Sequence, residues 1–305
     1  MDKLTKEILE LLKGAFEASV GTFEYRNGSE MQAYWLENYE NNIIRPMSKV
    51  VRQAYDEGAG KEISSGKMGA LKSSSALTYN LFWKQEAEIS KPQFNIGRGL
   101  YSVEFEKKLD TIKLSSAPAT IDAFLHCKDS GEALACEMKM TEWLGNPDKL
   151  SEAYLIPERY IDSQEVFTDV VRALVQESDL TGARKYSSIF SSYDAFQMLK
   201  HTISLYRACF EGVLNVKKLT LLNCVWALSS PKVLQSEASR RRYIQKWNEE
   251  KREFEEFKAI MQPIIELFGA RLGVEFDIQF CTFSELLSML KKSPEELKYL
   301  ERYLI

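Results

Sequence analysis

Residues 121–139, from Ile121 to Lys139, read as two short strands joined by a tight turn, and the charges they carry constrain what can surround them. Lys128-Asp-Ser-Gly131 is the turn signal, because Gly, Asp and Ser supply turn conformations. Placing Cys127 opposite Glu132 closes the loop at these four residues and puts Asp122 opposite Glu137. Lys139 lies two residues beyond Glu137 and so points to the same face. The other face carries Ile121, Ala123, Leu125 and Cys127 with Leu134, Cys136 and Met138, and is apolar throughout, as a core face should be. Directly opposed residues have Cα atoms roughly 4.5–5.5 Å apart. Two like charges so placed are destabilising without a compensating ion. A divalent cation would compensate them; Mg²⁺ is hard and is held by one or two carboxylates plus waters and substrate phosphates. The alternative is a solvated face on which the three charges form surface ion pairs. Glu-x-Lys alone is too common to decide, but a one-residue slip would scatter the three groups over both faces.

Bulk properties bound the rest. A chain of 305 residues can bury a full core in one elaborated domain or two. No apolar run approaches a membrane span, and the opening Met-Asp-Lys-Leu-Thr-Lys-Glu lacks a signal peptide's apolar core, so a cytoplasmic protein without membrane attachment is expected. Cys127, Cys136, Cys209, Cys224 and Cys281 are scattered in apolar contexts without Cys-x-x-Cys spacing; they read as small core residues, not zinc ligands or disulfides. A net charge of −4 argues against a protein that coats nucleic acid non-specifically, though a local basic groove is compatible with it. The clearest basic patch, Arg240-Arg-Arg242 with Lys246, Lys251 and Arg252, is interleaved with glutamates and reads as a solvated helix face.

Along the chain, residues 1–60 read as helical: Leu4, Ile8, Leu11 and Leu12 form a stripe, and Met31 to Tyr55 continues at helical spacing. Tyr34, Trp35 and Tyr39 read as core aromatics, with contact to substrate bases as the alternative. Gly58-Ala-Gly60 to Gly69 reads as a mobile loop, and its Gly/Lys run lacks P-loop spacing. Ser73 or Ser74 caps a helix from about Ser75 to Lys84. Asn80 and the serines there serve either local hydrogen bonding or substrate contact. Tyr101 to Leu109 reads as a strand with Tyr101, Val103 and Phe105 inward and Glu104 and Glu106 on the opposite face. If that face is the one carrying Asp122, either glutamate extends the carboxylate cluster. Residues 141–190 look like a polar insertion with short helices such as Glu165 to Leu174. Tyr193 to Leu214 reads as a helix with Phe196, Leu199, Ile203, Tyr206 (or Phe210) and Val213 in one stripe and Gln197, Lys200, His201 and Ser204 in the next. Lys218 to Leu228 is a near-continuous apolar strand suited to the middle of a sheet. A charged helix follows from about Ser236 to Phe268, kinked or interrupted at Pro263, then a strand from Val274 to Phe280 and a last helix at Ser293-Pro294. This order predicts an α/β fold with a mixed sheet flanked by helices.

Asp…Glu-x-Lys on a hairpin resembles the signature of the PD-(D/E)XK nucleases, the restriction-endonuclease-like proteins, with Ile121-Asp122 in place of Pro-Asp. The stretch Ser73-Ser-Ser-Ala-Leu-Thr-Tyr-Asn-Leu-Phe82 is similar to a helix motif of a small bacterial subfamily of restriction-endonuclease-like proteins. That subfamily also shows a strand ending in Glu, as in Val103-Glu-Phe-Glu106, and a Thr-Glu after the motif lysine, as in Thr141-Glu142. The resemblance spans about residues 70–230. It implies a restriction-endonuclease-like core over residues 71–305, with an insertion near 141–190 and residues 1–70 as a helical extension packed on it. It implies that Asp122 and Glu137, with the backbone carbonyl of Met138, bind Mg²⁺ (Mn²⁺ as the alternative ion), that Glu106 serves a second ion, and that Lys139 orients or polarises the attacking water. A polar residue on the following helix completes such sites; Gln197 is the first candidate and His201 the second. The implied activity is restriction-like hydrolysis of DNA phosphodiester bonds, with a homodimer suited to cutting both strands of a palindrome. A non-catalytic nucleic-acid-binding or scaffold module on the same fold, or a repair or RNA nuclease, is the alternative.

Overall fold

The computed structural model describes residues 1–58, 60–115, 117–145, 147–181 and 184–305. Ala59, in the expected Gly58–Gly60 loop, and Asn146, Gly182 and Ala183, in the expected insertion, lie outside the described residues. In chain order the strands are β1 (Glu86–Ile89), β2 (Gly99–Leu109), β3 (Ala119–Cys127), β4 (Glu132–Lys139), a two-residue pair β5 (Leu150–Ser151) and β6 (Lys185–Tyr186), then β7 (Lys218–Val225) and β8 (Glu275–Thr282). The main sheet has the order β1-β2-β3-β4-β7-β8. It is antiparallel from β1 to β4 and parallel from β4 through β7 to β8. The helices are α1 (Lys3–Ser19), α2 (Lys49–Glu57), α3 (Ser74–Phe82), α4 (Gln164–Leu174), α5 (Ala195–Phe210), α6 (Glu237–Leu267), α7 (Phe283–Met289) and α8 (Pro294–Leu300). The expected α/β architecture with a mixed, helix-flanked sheet and an N-terminal helix is what the chain forms.

Each face of the sheet carries its own core. One joins α1, α2, α3 and α7 to Ala123, Leu125, Leu134, Cys136 and Met138. The other joins α4, α5 and α6 to Phe124, Ala133, Ala135, Leu219 and Leu221. This double covering explains the apolar run of β7, which sits between two parallel neighbours and is buried on both faces. It also disposes of the solvated-face alternative for the hairpin. The face of Glu137 lies beneath α5, and Glu137 is 2 % exposed.

The hairpin has the predicted register, with Cys127 opposite Glu132 and Ala123 opposite Cys136. Gly131 adopts φ +71°, the left-handed conformation this turn requires. Beyond Ala123 the two strands part, and Asp122 pairs with neither neighbour. On the β2 side the register resumes at Lys107 opposite Ile121, and the residue between, Glu106, has φ +48°. Strand alternation breaks here. Ile121, expected to share a face with Ala123 and Leu125, packs instead in the core beneath α4 and α5.

Other expectations need correcting. Met31 to Tyr55 is helical only from Lys49, where Ser48 accepts the Val51 N–H; before it lie short 3₁₀ turns at Gln32–Tyr34 and Tyr39–Asn42. Pro46 cannot donate within a helix, and the aromatics reach long-range partners, with Trp35 bridged to Ala70 and Tyr34 donating its hydroxyl to Glu10. α6 runs through Pro263 to Leu267, because Met261, Ile264 and Phe268 are buried around it and packing outweighs the lost hydrogen bond. α5 stops at Phe210, ahead of Gly212 at φ +72°, which leaves Phe210 and Val213 exposed.

α3 is buried all round and capped by Ser73, whose Oγ accepts the Ala76 N–H. Asn80 is fully buried and serves the fold by hydrogen bonding within it. Its amide donates to the Asn42 carbonyl and the Tyr303 hydroxyl, and its Oδ1 accepts the Ile44 N–H at 2.7 Å. It thus ties the N-terminal segment and the C-terminus to α3. Asn80→Ala strands a buried N–H, and the expected loss is about 2–4 kcal/mol of unfolding free energy by urea titration, with the native circular dichroism spectrum retained.

Candidate active site

β4 ends with Glu137, Met138 and Lys139 at the point where β3 departs, and α5 lies across that opening. Asp194 caps α5 by accepting the Gln197 N–H. Gln197 and His201, one helical turn apart, therefore project side by side toward β4. Gln197 Nε2 donates to Glu137 Oε1 at 2.7 Å, and His201 Nε2 lies 2.9 Å from Glu137 Oε2. Lys139 Nζ completes the arrangement, 3.1 Å from Glu137 Oε1, 3.4 Å from Asp194 Oδ2 and hydrogen-bonded to Gln197 Oε1. One buried carboxylate is thereby held by an amide, an imidazole and an ammonium group.

Asp122 sits across the opening. Its Oδ2 accepts the Met138 N–H at 2.7 Å. This bond stands in for the ladder where the two strands part. Glu106 follows on β2, 9 % exposed, and packs against Gly58, where a Cβ would fall 2.4 Å from Glu106 Oε2. Glu104, its expected companion, is exposed and paired with Lys107. Glu106, Asp122, Glu137, Met138, Lys139, Gln197 and His201 all line one cleft of about 300 Å³. The structure places these seven residues in one cleft and leaves Glu104 and Asn80 outside it.

The same cleft contains two groups that strand and helix spacing did not reveal, Glu62 from the N-terminal segment and Asp148 from the insertion, together with Lys200 from the polar stripe of α5. Asp194, which reaches Lys139, was also missed. Its place before Ala195 marks it as a helix cap, but only the packing of α5 on β4 brings it to the lysine. Ser74 and Ser75 at the start of α3 line the cleft's rim, whereas Asn80 does not.

Electrostatically the cleft divides in two. Burial pushes the Glu137 carboxyl up, but Lys139 and His201 outweigh it and hold the group below the ordinary carboxylate range. Burial likewise opposes the charge on Lys139, and the carboxylates of Glu137 and Asp194 outweigh that, so it stays protonated. Asp122 lies on the other side, raised well above the usual range by burial and then by the charges of Glu137 and Glu106. Glu106 is raised to about 8 by burial, then by Glu62 and Glu137. Asp122 and Glu106 thus form an acidic wall whose carboxyls hold their protons more tightly than free ones do.

A hard cation fits this donor set. A carboxylate offers roughly four acceptor positions. Glu137 has given three, to Gln197, Lys139 and His201, and Asp122 has given one, to Met138. Among the described residues no three Asp, Glu, His or Cys side chains converge as a ligand set. Mg²⁺ commonly takes one or two carboxylates, with water and phosphate oxygens filling the rest.

A raised acid pKa has a definite sign in stability. The unfolded chain releases its proton near 4.5 and the folded chain near 8, so Glu106 makes stability fall as pH rises across that window. Glu106→Gln is expected to flatten this fall, measured as Tm between pH 5 and pH 8.5. Added Mg²⁺ is expected to raise the wild-type Tm more at pH 8 than at pH 5.5.

Among the described residues no helix is long and apolar enough to cross a membrane. No curated protein and no solved structure matches the chain. The model of one protein family does, described as restriction endonuclease associating with ARP, over residues 12–303. The match runs from α1 through the sheet and both cleft walls to the C-terminus, and the chain belongs to this family of restriction endonucleases associating with ARP.

Proposed function

We propose that the protein is a Mg²⁺-dependent endonuclease of the PD-(D/E)XK type that hydrolyses DNA phosphodiester bonds in a restriction-like manner, with Mn²⁺ as an alternative ion. The observation that carries this reading is the shared cleft of Asp122, Glu137 and Lys139: two carboxylates suited to a hard cation and, beside them, an ammonium held charged. Family membership supports DNA as the substrate.

Asp122, Glu137 and the Met138 carbonyl would hold the ion, with Glu106 in reserve for a second. Bound there, it would neutralise phosphate charge and lower the pKa of water. Gln197 and His201 fix the Glu137 carboxylate from both oxygens, so it keeps one orientation whether or not substrate is present. His201 is 2 % exposed and its Nδ1 has no partner, which suits a positioning role better than proton exchange with solvent.

Lys139 has three N–H bonds and three acceptors around it. The Asp194 contact, at 3.4 Å, is the longest of these and the easiest to give up. Substrate entry would redirect that hydrogen to the attacking water or to a non-bridging phosphate oxygen. There the ammonium opposes the charge that builds in the transition state.

The test is plasmid cleavage with Mg²⁺, Mn²⁺ or EDTA. Asp122→Asn, Glu137→Gln and Lys139→Met are each expected to lose at least about 10³-fold in cleavage rate while keeping a native melting transition. Gln197→Ala is expected to lose roughly 10–100-fold, because it orients the reacting groups and does not itself react. Wild-type cleavage by the Glu137→Gln and Lys139→Met variants would sink the mechanism. Absence of cleavage by the wild type, with nucleic acid still bound, would favour a non-catalytic module.

A further inference from the structure

A second cleft, of about 320 Å³, lies on the far side of Lys139. It shares Lys139, Asp148 and Gln197 with the first and is walled by Trp143 and Met198. Its depth holds two polar groups the fold leaves unmatched. Asn223 Oδ1 and Glu250 Oε2 are buried without a hydrogen-bond partner, and each residue is 2 % exposed. Such orphans are rare in native interiors and costly where they occur.

Neither atom is taken up by the fold's own hydrogen bonding. Asn223 is a poor strand residue in the largely apolar β7. Glu250 and Glu253 both face inward from α6, but only Glu253 supports the fold, by accepting the N–H groups of Ser191, Ser192 and Tyr193 ahead of α5. Glu250 has no such bond. Trp143 is rigid, its indole N–H bonded to the Met140 and Trp226 carbonyls.

The cleft's chemistry narrows its ligand. Glu142, Asp148, Asp194 and Glu250 line it against a single lysine, which repels phosphate. No three of the described acids converge on a cation site. An apolar wall, planar hydrogen-bonding groups beneath it and a neighbouring phosphodiester site together suit a nucleobase. Asn pairs with an adenine edge and Glu accepts from a cytosine amine.

We propose that this cleft receives one unstacked base of the DNA next to the phosphodiester at Lys139, and that Asn223 and Glu250 read its amine-bearing edge. The proposal rests on the nuclease reading above. Burial, with Glu253 adding to it, pushes the Glu250 carboxyl up to about 8, so near neutral pH the group offers both a donor and an acceptor. That matches a base edge and leaves no full charge on Glu250 itself.

The experiment compares duplexes in which adenine, cytosine, guanine or thymine stands opposite an abasic site with the fully paired duplex. Binding to the full chain is read by fluorescence anisotropy in Ca²⁺. An unstacked amine-bearing base is expected to bind about 10-fold tighter than the paired duplex, with thymine gaining less. Asn223→Leu and Glu250→Met are expected to erase the preference, and Glu250→Gln, neutral with donor and acceptor kept, to retain it. Glu250→Met is also expected to raise Tm, since it removes an orphaned buried carboxyl. A wild type that cleaves plasmid but shows no such preference overturns this proposal alone, as does a preference that survives in both erasing variants. A chain that neither binds nor cleaves DNA overturns it together with the nuclease reading.

Discussion

The Glu137 carboxylate is the interaction on which the arrangement of the site depends. A charge buried this deeply is tolerated only with partners on its oxygens. Its partners come from two places. Lys139 comes from its own strand, and Gln197 and His201 come from one face of α5, a turn apart. The clamp therefore fixes α5 against the end of β4 in both rotation and register. Sliding α5 by one residue would replace Gln197 and His201 with Met198 and Thr202 or with Phe196 and Lys200, and no such pair could hold the carboxylate from both sides. The cap of α5 then delivers Asp194 to Lys139 without further constraint.

Across the opening the fold places acids without compensation. β3 leaves β4 at Asp122, and the positive φ of Glu106 turns β2 at the same level. Two irregular residues on adjacent strands thus hold the carboxylates that a cation would need, and regular pairing on either side keeps them in place. The N-terminal segment closes the wall: Gly58 allows Glu106 to approach, and Glu62 adds to the charge. That segment shares a core with the sheet and with the C-terminal helices, so the acidic wall is supported by residues far apart in the chain.

Much of this was legible in the sequence. Alternation with a turn signal located the hairpin, and counting across it placed Asp122 and Glu137 on one face. The apolar run at Lys218 to Leu228 marked a central strand; helical spacing put Gln197 and His201 on one stripe, and the family resemblance singled them out there. The errors were of one kind. Met31 to Tyr55 has helical spacing, but Pro46 and the distant partners of Tyr34 and Trp35 decide its form. Pro263 should interrupt α6, but buried neighbours hold it. Ile121 should face Ala123, but strand alternation fails at Asp122. Apart from Pro46, which is a local signal, long-range packing outweighed a local preference worth a few kcal/mol or less.

By itself the sequence determined the hairpin, its register, the mixed sheet and the three charges that share a strand end, because strand period and turn chemistry are local. Tertiary structure alone decided that the charged face is interior, that Glu62 and Asp194 join the site, and that Asn223 and Glu250 are left without partners. Whether a buried polar group is matched depends on groups that the fold brings from elsewhere in the chain, and no local pattern records which they are.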